Sequence, residues 1–325
     1  MRRLRIALTG TRGVVGNALA AKLCEDEGCR RLILLDLAPP KRALRRAAFY
    51  RIDLTDPRAS TRIADVIDRE EPDVLVHLAF LQNPIRDPSY EHELESVGSM
   101  HLLHALVDRP KPPALLLGSS TLVYGAHPDN PNFLTEDAPL RGRKGYPLVE
   151  EKVDVERQVA EFRDTKGVPV VVLRTASLLG PGCPSLAARY FQLRAVPTVL
   201  GFNPLIQLLH PDDAVEAYLL ALRRLGTNGG SGTYNVVGRG VLPLLAAVRL
   251  AGRRNLPLPG FAAAAMLDTL FQAGAAIAPG AHLDYLRYLC VADGSRAAEE
   301  LGFTARYSTR DAVLAFARER PRIAA

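Results

Sequence analysis

Three glycines near the start of the chain have the spacing of a loop that binds a diphosphate. The stretch TGTRGVVG places Gly10, Gly13 and Gly16 between an apolar, β-prone run, LRIALTG, and a segment with helical spacing, GNALAAKLCED. Glycines in this context permit a tight turn, a close approach of the backbone to a pyrophosphate and close packing of helix on strand. The N-terminus of the helix then directs its free N–H groups at the phosphates. The loop residues predicted to contact a dinucleotide are Gly10, Arg12, Gly13, Val14, Val15 and Gly16.

The residue suited to contact the adenosine ribose is Asp36, near the end of the second apolar run, RRLILLDL. A carboxylate there accepts a hydrogen bond from a ribose 2′-hydroxyl and repels a 2′-phosphate, which favours NAD(H). Basic residues in and after the loop can instead neutralise a phosphate, which favours NADP(H), or they form an ordinary solvated helix face. The choice between NAD(H) and NADP(H) therefore stays open. These basic residues are Arg12, Lys41, Arg42, Arg45 and Arg46.

A second stretch, RGRKGYPLVEEKVDVERQVAEF, carries a tyrosine and a lysine that are six residues apart, Tyr146 and Lys152. Side chains four residues apart share one face of a helix, and a spacing of six does not bring them together in that way. Proline suits the first turn of a helix, so Pro147 favours a helix start at this point. Tyr146 is then expected in the loop that precedes the helix.

Predicted strands and helices alternate along the first 178 residues. Apolar runs such as RRLILLDL and VPVVVLRTA are separated by segments with helical spacing such as RASTRIADVIDREE. This alternation indicates right-handed βαβ units and a parallel sheet, and fully apolar runs are typical of strands that are buried on both faces. The predicted fold class is α/β, a Rossmann-type doubly wound parallel sheet with a smaller C-terminal substrate-binding lobe.

The regular alternation fails after about residue 178. LLGPGCPSLAARYFQLRAVP and the Pro/Gly-rich part after residue 240 are interpreted as added material. Between them, QLLHPDDAVEAYLLALRR and GTYNVVG have the pattern of a helix and a strand that return to the main body. We therefore predict an NAD(P)-binding domain of residues 1–178 and 205–240. The substrate-binding lobe is predicted to comprise residues 179–204 and 241–325.

Composition disfavours several classes of function. The net charge of +6 comes from arginine, without a Lys/Arg block or an aromatic-interleaved stripe, so nucleic acid is not an expected partner. The four cysteines lack CxxC spacing, which disfavours a metal site. The most apolar late run, FAAAAMLDTLFQAGAAIAPG, is broken by Asp268 and Gln272, which disfavours a membrane span. Since the chain enters the glycine loop at once, without room for a signal sequence, a cytoplasmic location is expected. The expected partner is a small-molecule substrate.

Together these motifs resemble the extended short-chain dehydrogenase/reductase family, near its epimerase/dehydratase branch, over nearly the whole chain. The matching pieces are TGTRGVVG, RIDLTD, VLVHLAF, GSSTLVYG, LRTASLLGPG and LLHPDDAVEAYL. The resemblance implies that the loop 174–182 covers the nicotinamide and that a helix-pair homodimer is common, although the sequence leaves the oligomeric state open. It assigns Asp53 and Leu54 to the adenine, and Leu78, Ala79 and Phe80 to the central part of the cofactor.

The same resemblance implies a serine, a tyrosine and a lysine at the reacting end. In SSTLVYG the matching serine is Ser120, which is expected to donate a hydrogen bond to a substrate carbonyl. The tyrosine and lysine stand four residues apart in the family, where the phenol exchanges a proton and the ammonium holds the ribose. If Tyr146 is aligned with the tyrosine of the family, Glu150 occupies the position of the lysine. If Lys152 is aligned with the lysine instead, Leu148 occupies the position of the tyrosine. The amphipathic helix favours the second register, so the usual phenol is predicted to be missing.

A further departure from the family pattern is Glu95, three residues before Gly98, where the family usually has asparagine. The resemblance to tyrosine-less polyketide ketoreductases of antibiotic pathways, of the simocyclinone type, favours NAD(P)H-dependent ketone reduction. In that mechanism Ser120 polarises the oxygen, Lys152 holds the ribose, and the proton comes from substrate, water or Tyr146. Two alternatives stay open: a nucleotide-sugar epimerase or dehydratase that uses Tyr146 as its base, and a non-catalytic NAD(P)-sensing regulatory protein. Four histidines, His77, His101, His104 and His210, are not expected to bind metal, and His77 and His210 are interpreted as structural.

Overall fold

Seven parallel strands form the central sheet of the computed structural model, which describes residues 3–40, 44–227 and 230–319. The strands, in chain order, are β1 (Leu4–Thr9), β2 (Cys29–Asp36), β3 (Ala47–Arg51), β4 (Val74–His77), β5 (Ala114–Ser120), β6 (Val170–Thr175), β7 (Ser177–Leu178), β8 (Ala195–Val199), β9 (Leu205–Ile206), β10 (Leu208–Leu209), β11 (Gly232–Val236), β12 (Leu242–Pro243) and β13 (Arg254–Leu258). The order across the central sheet is β11-β6-β5-β4-β1-β2-β3, and every neighbouring pair is parallel.

Helices cover both faces of this sheet, because successive strand residues point to opposite sides. The helices are α1 (Val14–Glu25), α2 (Ala59–Glu70), α3 (Pro88–His92), α4 (Gly98–Val107), α5 (Pro147–Lys166), α6 (Leu186–Gln192), α7 (Pro211–Gly226), α8 (Leu244–Leu250), α9 (Gly260–Gln272), α10 (Ser295–Leu301) and α11 (Thr309–Arg318). Leu34 belongs to the core that contains side chains of α1 and α7, and its neighbour Ile33 belongs to the core that contains side chains of α2, α4 and α5.

The strand order reverses at β1, which lies between β2 and β4. Connections leave β1 and β4 toward opposite sides at this point, so a crevice opens beyond the carboxyl ends of the strands. The glycine loop follows β1, and the segments after β4, β5 and β6 reach the same edge. These elements therefore determine where a ligand can be held.

The later part of the chain divides between the sheet and a separate small core. The helix and strand interpreted above as returning elements are α7 and β11, and β11 pairs in parallel with β6. The small core contains side chains from α6, β8, α8 and α11. The apolar run after residue 260 forms α9, and among the described residues no helix is long and apolar enough to cross a membrane.

Three local features near the crevice test the sequence-based expectations. The apolar run PALLLGSSTLVYG predicts one continuous strand, but the strand ends at Ser120, because Thr121–Tyr124 forms a 3₁₀ turn that the Ser120 hydroxyl caps. Helix α5 begins at Pro147, as that proline predicts, in the position where proline is best tolerated. A π-helical segment, Glu93–Val97, joins α3 to α4. A single π-helical turn of this kind is frequent at functional sites.

Candidate active site

The glycine loop forms a cradle that side chains would fill. Gly10 has φ of 71°, and a Cβ atom there would lie 2.2 Å from the backbone oxygen of Leu78. A Cβ atom on Gly16 would lie 2.2 Å from the backbone oxygen of Gly10. Helix α1 begins at Val14 without a side-chain cap, so the N–H groups of its first turn are directed at the crevice. The loop therefore fits the diphosphate of a dinucleotide.

Asp36 fastens this loop from the end of β2. Its Oδ2 accepts hydrogen bonds from Thr11 Oγ1 (2.9 Å) and from the backbone N–H of Arg12 (3.1 Å), and its Oδ1 accepts one from the N–H of Leu37 (2.7 Å). A carboxylate has further lone pairs, so this group can still accept a hydrogen bond from a ribose hydroxyl. The side chain of Arg12 is exposed beside it. Of the basic residues predicted to accompany it, Arg45 and Arg46 are also exposed, and Lys41 and Arg42 lie outside the described residues.

A cleft runs from this loop toward the C-terminal part of the chain. Its empty volume is about 1520 Å³, including space open to solvent. The predicted site residues that line the cleft are Gly10, Gly13, Val15, Gly16, Leu78, Phe80, Ser120 and Lys152.

Other predicted residues stand at the crevice without forming the wall of this cleft. Ala79 follows β4, with its backbone nitrogen beside Gly10. Asp53 lies after β3 and accepts hydrogen bonds from the N–H and hydroxyl of Thr55. Leu54 is buried against Gly98 of α4. Their assignment to the adenine and to the central part of the cofactor stays a prediction, and so do the contacts of Arg12 and Val14.

Ser120 presents a hydroxyl group to the cleft. Its Oγ accepts a hydrogen bond from the N–H of Leu122 (3.2 Å), and no group among the described residues accepts the hydroxyl hydrogen. The group can therefore donate to a substrate oxygen. Its neighbour Ser119 instead donates to Glu156 in the buried interior. Thr121 is buried as well.

Lys152 reaches the cleft, but its ammonium group is already surrounded by acceptors. Nζ lies 2.9 and 3.0 Å from the two carboxylate oxygens of Glu95, 3.2 Å from the backbone oxygen of Leu81 and 3.0 Å from that of Leu148. Glu95 is fully buried in the π-helical segment and also accepts from the N–H of Leu81. Burial raises the pKa of this carboxyl group, against the opposing effect of the ammonium. A ribose contact by Lys152 requires exchange of one of these partners.

A second buried carboxyl group, Glu91, lies four residues before Glu95 on the preceding helical turn. Burial, with a smaller contribution from Glu95, raises the pKa of Glu91 to about 7. Its Oε1 atom is buried and has no hydrogen-bond partner among the described residues. The carboxyl groups of Glu91 and Glu95 and the ammonium group of Lys152 therefore lie together beside the cleft. The sequence alone did not predict this arrangement.

Tyr146 is buried behind the wall of the cleft. It is the residue immediately before α5, its side chain is fully buried, and its hydroxyl lies 3.1 Å from Nδ1 of His282. Burial raises the pKa of this phenol far above its ordinary value. Leu148, one helical turn before Lys152, lines the cleft instead. The helix thus carries Leu148 and Lys152 on the face where the resemblance implies a tyrosine and a lysine.

His282 is a cleft residue that sequence reasoning missed. It belongs to the 3₁₀ helix Gly280–Leu286, its ring packs against Tyr146 and Tyr285, and it lines the cleft. Burial lowers the pKa of the imidazole to about 4, so the group is neutral near pH 7. No short motif surrounds this histidine, and only the approach of the C-terminal segment to α5 brings it here.

The histidines considered from sequence have structural environments. His77 is buried between Thr9 Oγ1 (2.7 Å from Nδ1) and Ser99 Oγ (2.9 Å from Nε2). His210 caps α7 and stacks on Tyr307. Within residues 3–40, 44–227 and 230–319, no group of three or more His, Cys, Asp or Glu side chains is arranged to hold a metal ion.

Comparison with known proteins decides the family. The model of the NAD dependent epimerase/dehydratase family matches residues 6–237. The chain belongs to this family. An uncharacterized protein of Mycobacterium tuberculosis is 34% identical over 315 residues, which cover 94% of this chain and 81% of that protein. A 3-diazoavenalumate denitrifying reductase of Streptomyces is 27% identical over 237 residues, which cover 69% of this chain and 74% of that enzyme.

Known structures of epimerases and dehydratases share the fold. A UDP-glucose 4-epimerase of Thermotoga maritima has a TM-score of 0.72 at 18% identity, covering 97% of this chain and 98% of that one. DesIV, a dTDP-glucose 4,6-dehydratase of Streptomyces venezuelae with NAD bound, has a TM-score of 0.75 at 20% identity, covering 97% and 96%. The predicted Rossmann-type α/β fold is thereby confirmed. In this member of the family, Leu148 lines the cleft, and Glu95 and Lys152 form a buried ion pair beside it.

Proposed function

We propose that this family member catalyses the NAD(P)H-dependent reduction of a ketone on an aromatic or polyketide-type substrate. The observation that carries the proposal is the position of Leu148, which lines the cleft one helical turn before Lys152 where the resemblance implies a phenol. The reduced nicotinamide, when bound, supplies the hydride. The Streptomyces relative, a reductase by name, supports the same general reaction.

The burial of Tyr146 argues against epimerase or dehydratase chemistry. Such an enzyme has to begin by removing a proton from an unactivated alcohol, which requires a base in contact with the substrate. Tyr146 does not line the cleft, and burial raises the pKa of its phenol, so the phenolate form is strongly disfavoured. Reduction of a ketone begins with attack on the carbonyl carbon and does not require that base.

The residues of this chain can hold and polarise such a ketone. The glycine loop fits the diphosphate, and Asp36 offers a carboxylate to the ribose. Ser120 can donate a hydrogen bond to the carbonyl oxygen. Correct placement of the reactants is worth about 7–11 kcal/mol in favourable cases, whereas a general acid typically adds about 10²–10⁴-fold in rate. A ketone that is hydrogen-bonded to its own neighbouring phenol carries the proton that the resulting alkoxide takes up.

The name of the Streptomyces relative favours a second substrate class, an aromatic diazonium ion. The aryl carbon takes up a hydride, the carbon–nitrogen bond breaks and dinitrogen leaves, so the product forms without any proton transfer. A cleft in which Leu148 replaces the phenol suits this reaction as well. Both substrate classes share hydride transfer to an electron-poor aromatic compound.

The test is turnover by the purified protein with NADH or NADPH that carries deuterium at the transferable position. The substrates are a panel of quinones, aromatic polyketide ketones and aryl diazonium ions, with protein-free mixtures as controls. Deuterium at the carbinol carbon of the product supports ketone reduction, and replacement of the diazo group by deuterium supports the second class. Tight dinucleotide binding without oxidation of either cofactor by any compound would contradict both and leave a cofactor-sensing regulatory role.

A further inference from the structure

We propose that the neutral imidazole of His282 donates the hydrogen bond that the missing phenol would otherwise supply, and that Tyr146 holds it in the donating tautomer. This inference rests on the proposed ketone reduction, because it names the group that polarises the carbonyl oxygen together with Ser120. It gives Tyr146 a positioning role behind the cleft. His282 becomes a catalytic residue from the C-terminal part of the chain.

The segment that carries His282 is fastened beside Ser120. The hydroxyl of Tyr285 donates to the backbone oxygen of Leu122 (2.9 Å), two residues after Ser120. The thiol of Cys290 donates to the backbone oxygen of Thr121 (3.4 Å). These two bonds tie the segment to the 3₁₀ turn at the end of β5. Ser120 and His282 therefore line one cleft from opposite parts of the sequence.

The tautomer of His282 follows from the burial of Tyr146. The Tyr146 hydroxyl is fully buried, and within the described residues its one hydrogen-bond partner is Nδ1 of His282. If Nδ1 carried the hydrogen, the hydroxyl hydrogen would be left buried without an acceptor, which is unfavourable. The phenol therefore donates to Nδ1, and the ring hydrogen resides on Nε2. No group among the described residues partners Nε2, and the ring lines the cleft.

A neutral imidazole suits this role, because a donor aimed at the developing alkoxide stabilises negative charge without itself changing charge. A carbonyl oxygen that becomes an alkoxide gains a stronger hydrogen bond from Nε2–H as the charge forms. Burial of His282 keeps the imidazolium form out of the physiological range, since its pKa is lowered to about 4. A neutral histidine that polarises a carbonyl is an established device in enzymes. The alkoxide still receives its proton from the substrate phenol or from water.

The first test is the ¹⁵N NMR spectrum of the histidine side chains in the full-length protein without ligand. The His282 signals are assigned by their absence from the His282→Gln protein. We expect the Nε2–H tautomer at pH 7, without protonation down to about pH 5. In the Tyr146→Phe protein we expect a mixture of tautomers. An Nδ1–H tautomer or an imidazolium ion at pH 7 in the wild type would overturn the inference, whatever the enzyme reduces.

The second test compares three variants in ketone reduction. His282→Gln keeps an N–H donor near the Nε2 position, His282→Asn places its donor near Nδ1, and His282→Leu has none. We expect kcat/KM to fall about 10²–10³-fold in His282→Leu, the usual effect of removing one donor to an oxyanion. The Asn variant should fall similarly and the Gln variant less than tenfold, with unchanged dinucleotide affinity in all three. In His282→Leu the buried Tyr146 hydroxyl loses its acceptor, so a lower melting temperature is expected for that variant.

The outcomes separate the two proposals. Equal turnover of the Leu, Asn and wild-type proteins contradicts the role of His282 and leaves ketone reduction intact. Absence of ketone turnover in the wild type contradicts the proposed function, while the NMR spectrum still decides the state of His282. A variant that fails to fold is recognised by its melting temperature, and the Gln–Asn comparison then decides the role.

Discussion

The two ends of the cleft are built differently. The nucleotide end is the glycine loop with Asp36, and the chemical end is the part lined by Ser120, Leu148, Lys152 and His282. At the nucleotide end, the site is formed by backbone groups of one continuous loop. Gly10, Gly13 and Gly16 are needed there because a Cβ atom would fill the space between these backbone groups. At the chemical end, side chains from distant segments meet in buried pairs, Glu95 with Lys152 and Tyr146 with His282. The first kind of site depends on local geometry. The second depends on electrostatics and packing across the whole fold.

The largest effect is expected from breaking the buried ion pair at the chemical end. Lys152→Met leaves the carboxyl group of Glu95 fully buried without its cation. Removing one partner of a buried pair costs about 3–5 kcal/mol, so we expect a loss of this size in the free energy of unfolding at pH 7.5. Urea denaturation measures it. The double variant with Glu95→Gln removes both charges and should recover most of the loss.

The pH dependence of this loss has a definite sign. Burial raises the pKa of Glu95 above that of the unfolded chain, so the folded variant holds a proton that the unfolded chain releases as the pH rises. The stability of Lys152→Met should therefore fall as the pH increases above about 4.3 and partly recover as it decreases. A deficit that is equal at pH 5 and pH 8 would contradict the assignment of the buried charge to Glu95.

At the nucleotide end, the corresponding change is Gly10→Ala. Alanine is strained at φ of 71°, and its Cβ atom would meet the backbone oxygen of Leu78 at 2.2 Å. Strain and overpacking together are expected to cost about 2–4 kcal/mol in stability and to weaken dinucleotide binding more than tenfold. Calorimetric titration with NADH measures the affinity. Gly13→Ala is the control, since its Cβ atom would lie 3.3 Å from the oxygen of Gly10 and should cost less.

The contrast between the two ends also explains what could be predicted from sequence. Gly10, Asp36 and the strand–helix alternation belong to patterns that have a fixed spacing along the chain, so spacing alone identifies them. The apolar run RRLILLDL likewise identifies β2, because a strand covered on both faces has no polar side. Pro147 correctly predicted the start of α5, because the backbone geometry of the first helical turn is the one that proline favours.

The pairings that sequence did not reveal join residues that lie far apart in the chain. His282 and Tyr146 are 136 positions apart, and Lys152 and Glu95 are 57 apart. A glutamate such as Glu95 looks like a surface residue of a helix until the fold buries it, and the resemblance indicates only that asparagine is usual there. The end of β5 at Ser120 was missed because a serine cap turned an apolar run into a 3₁₀ turn.

A smaller effect at the nucleotide end is expected from Asp36→Asn. The substitution removes the charge that holds Thr11 and the backbone of Arg12 and that is predicted to face the ribose. A hydrogen bond to a charged group is worth about 1.5–3 kcal/mol, part of which an amide retains, so we expect NADH to bind about tenfold more weakly. NADPH should lose less or gain affinity, because a 2′-phosphate is no longer repelled. Equal losses for both cofactors would show that Asp36 only fastens the loop.

The smallest effect is expected from Tyr146→Phe, which tests the chemical end most directly. Phenylalanine keeps the packing of the ring beside Leu148 and Tyr285 and loses one hydrogen bond, so stability should fall by about 1 kcal/mol. Because the hydroxyl is buried behind the cleft, kcat/KM for reduction should fall less than tenfold. Tyr234→Phe, which removes another buried hydroxyl that donates to Glu300, is the matched control and should leave kcat/KM unchanged. If Tyr146→Phe lost nearly all turnover while Tyr234→Phe kept it, the phenol of Tyr146 itself would exchange the proton. The chemical end of the cleft would then use a tyrosine, as the resemblance to the family implies.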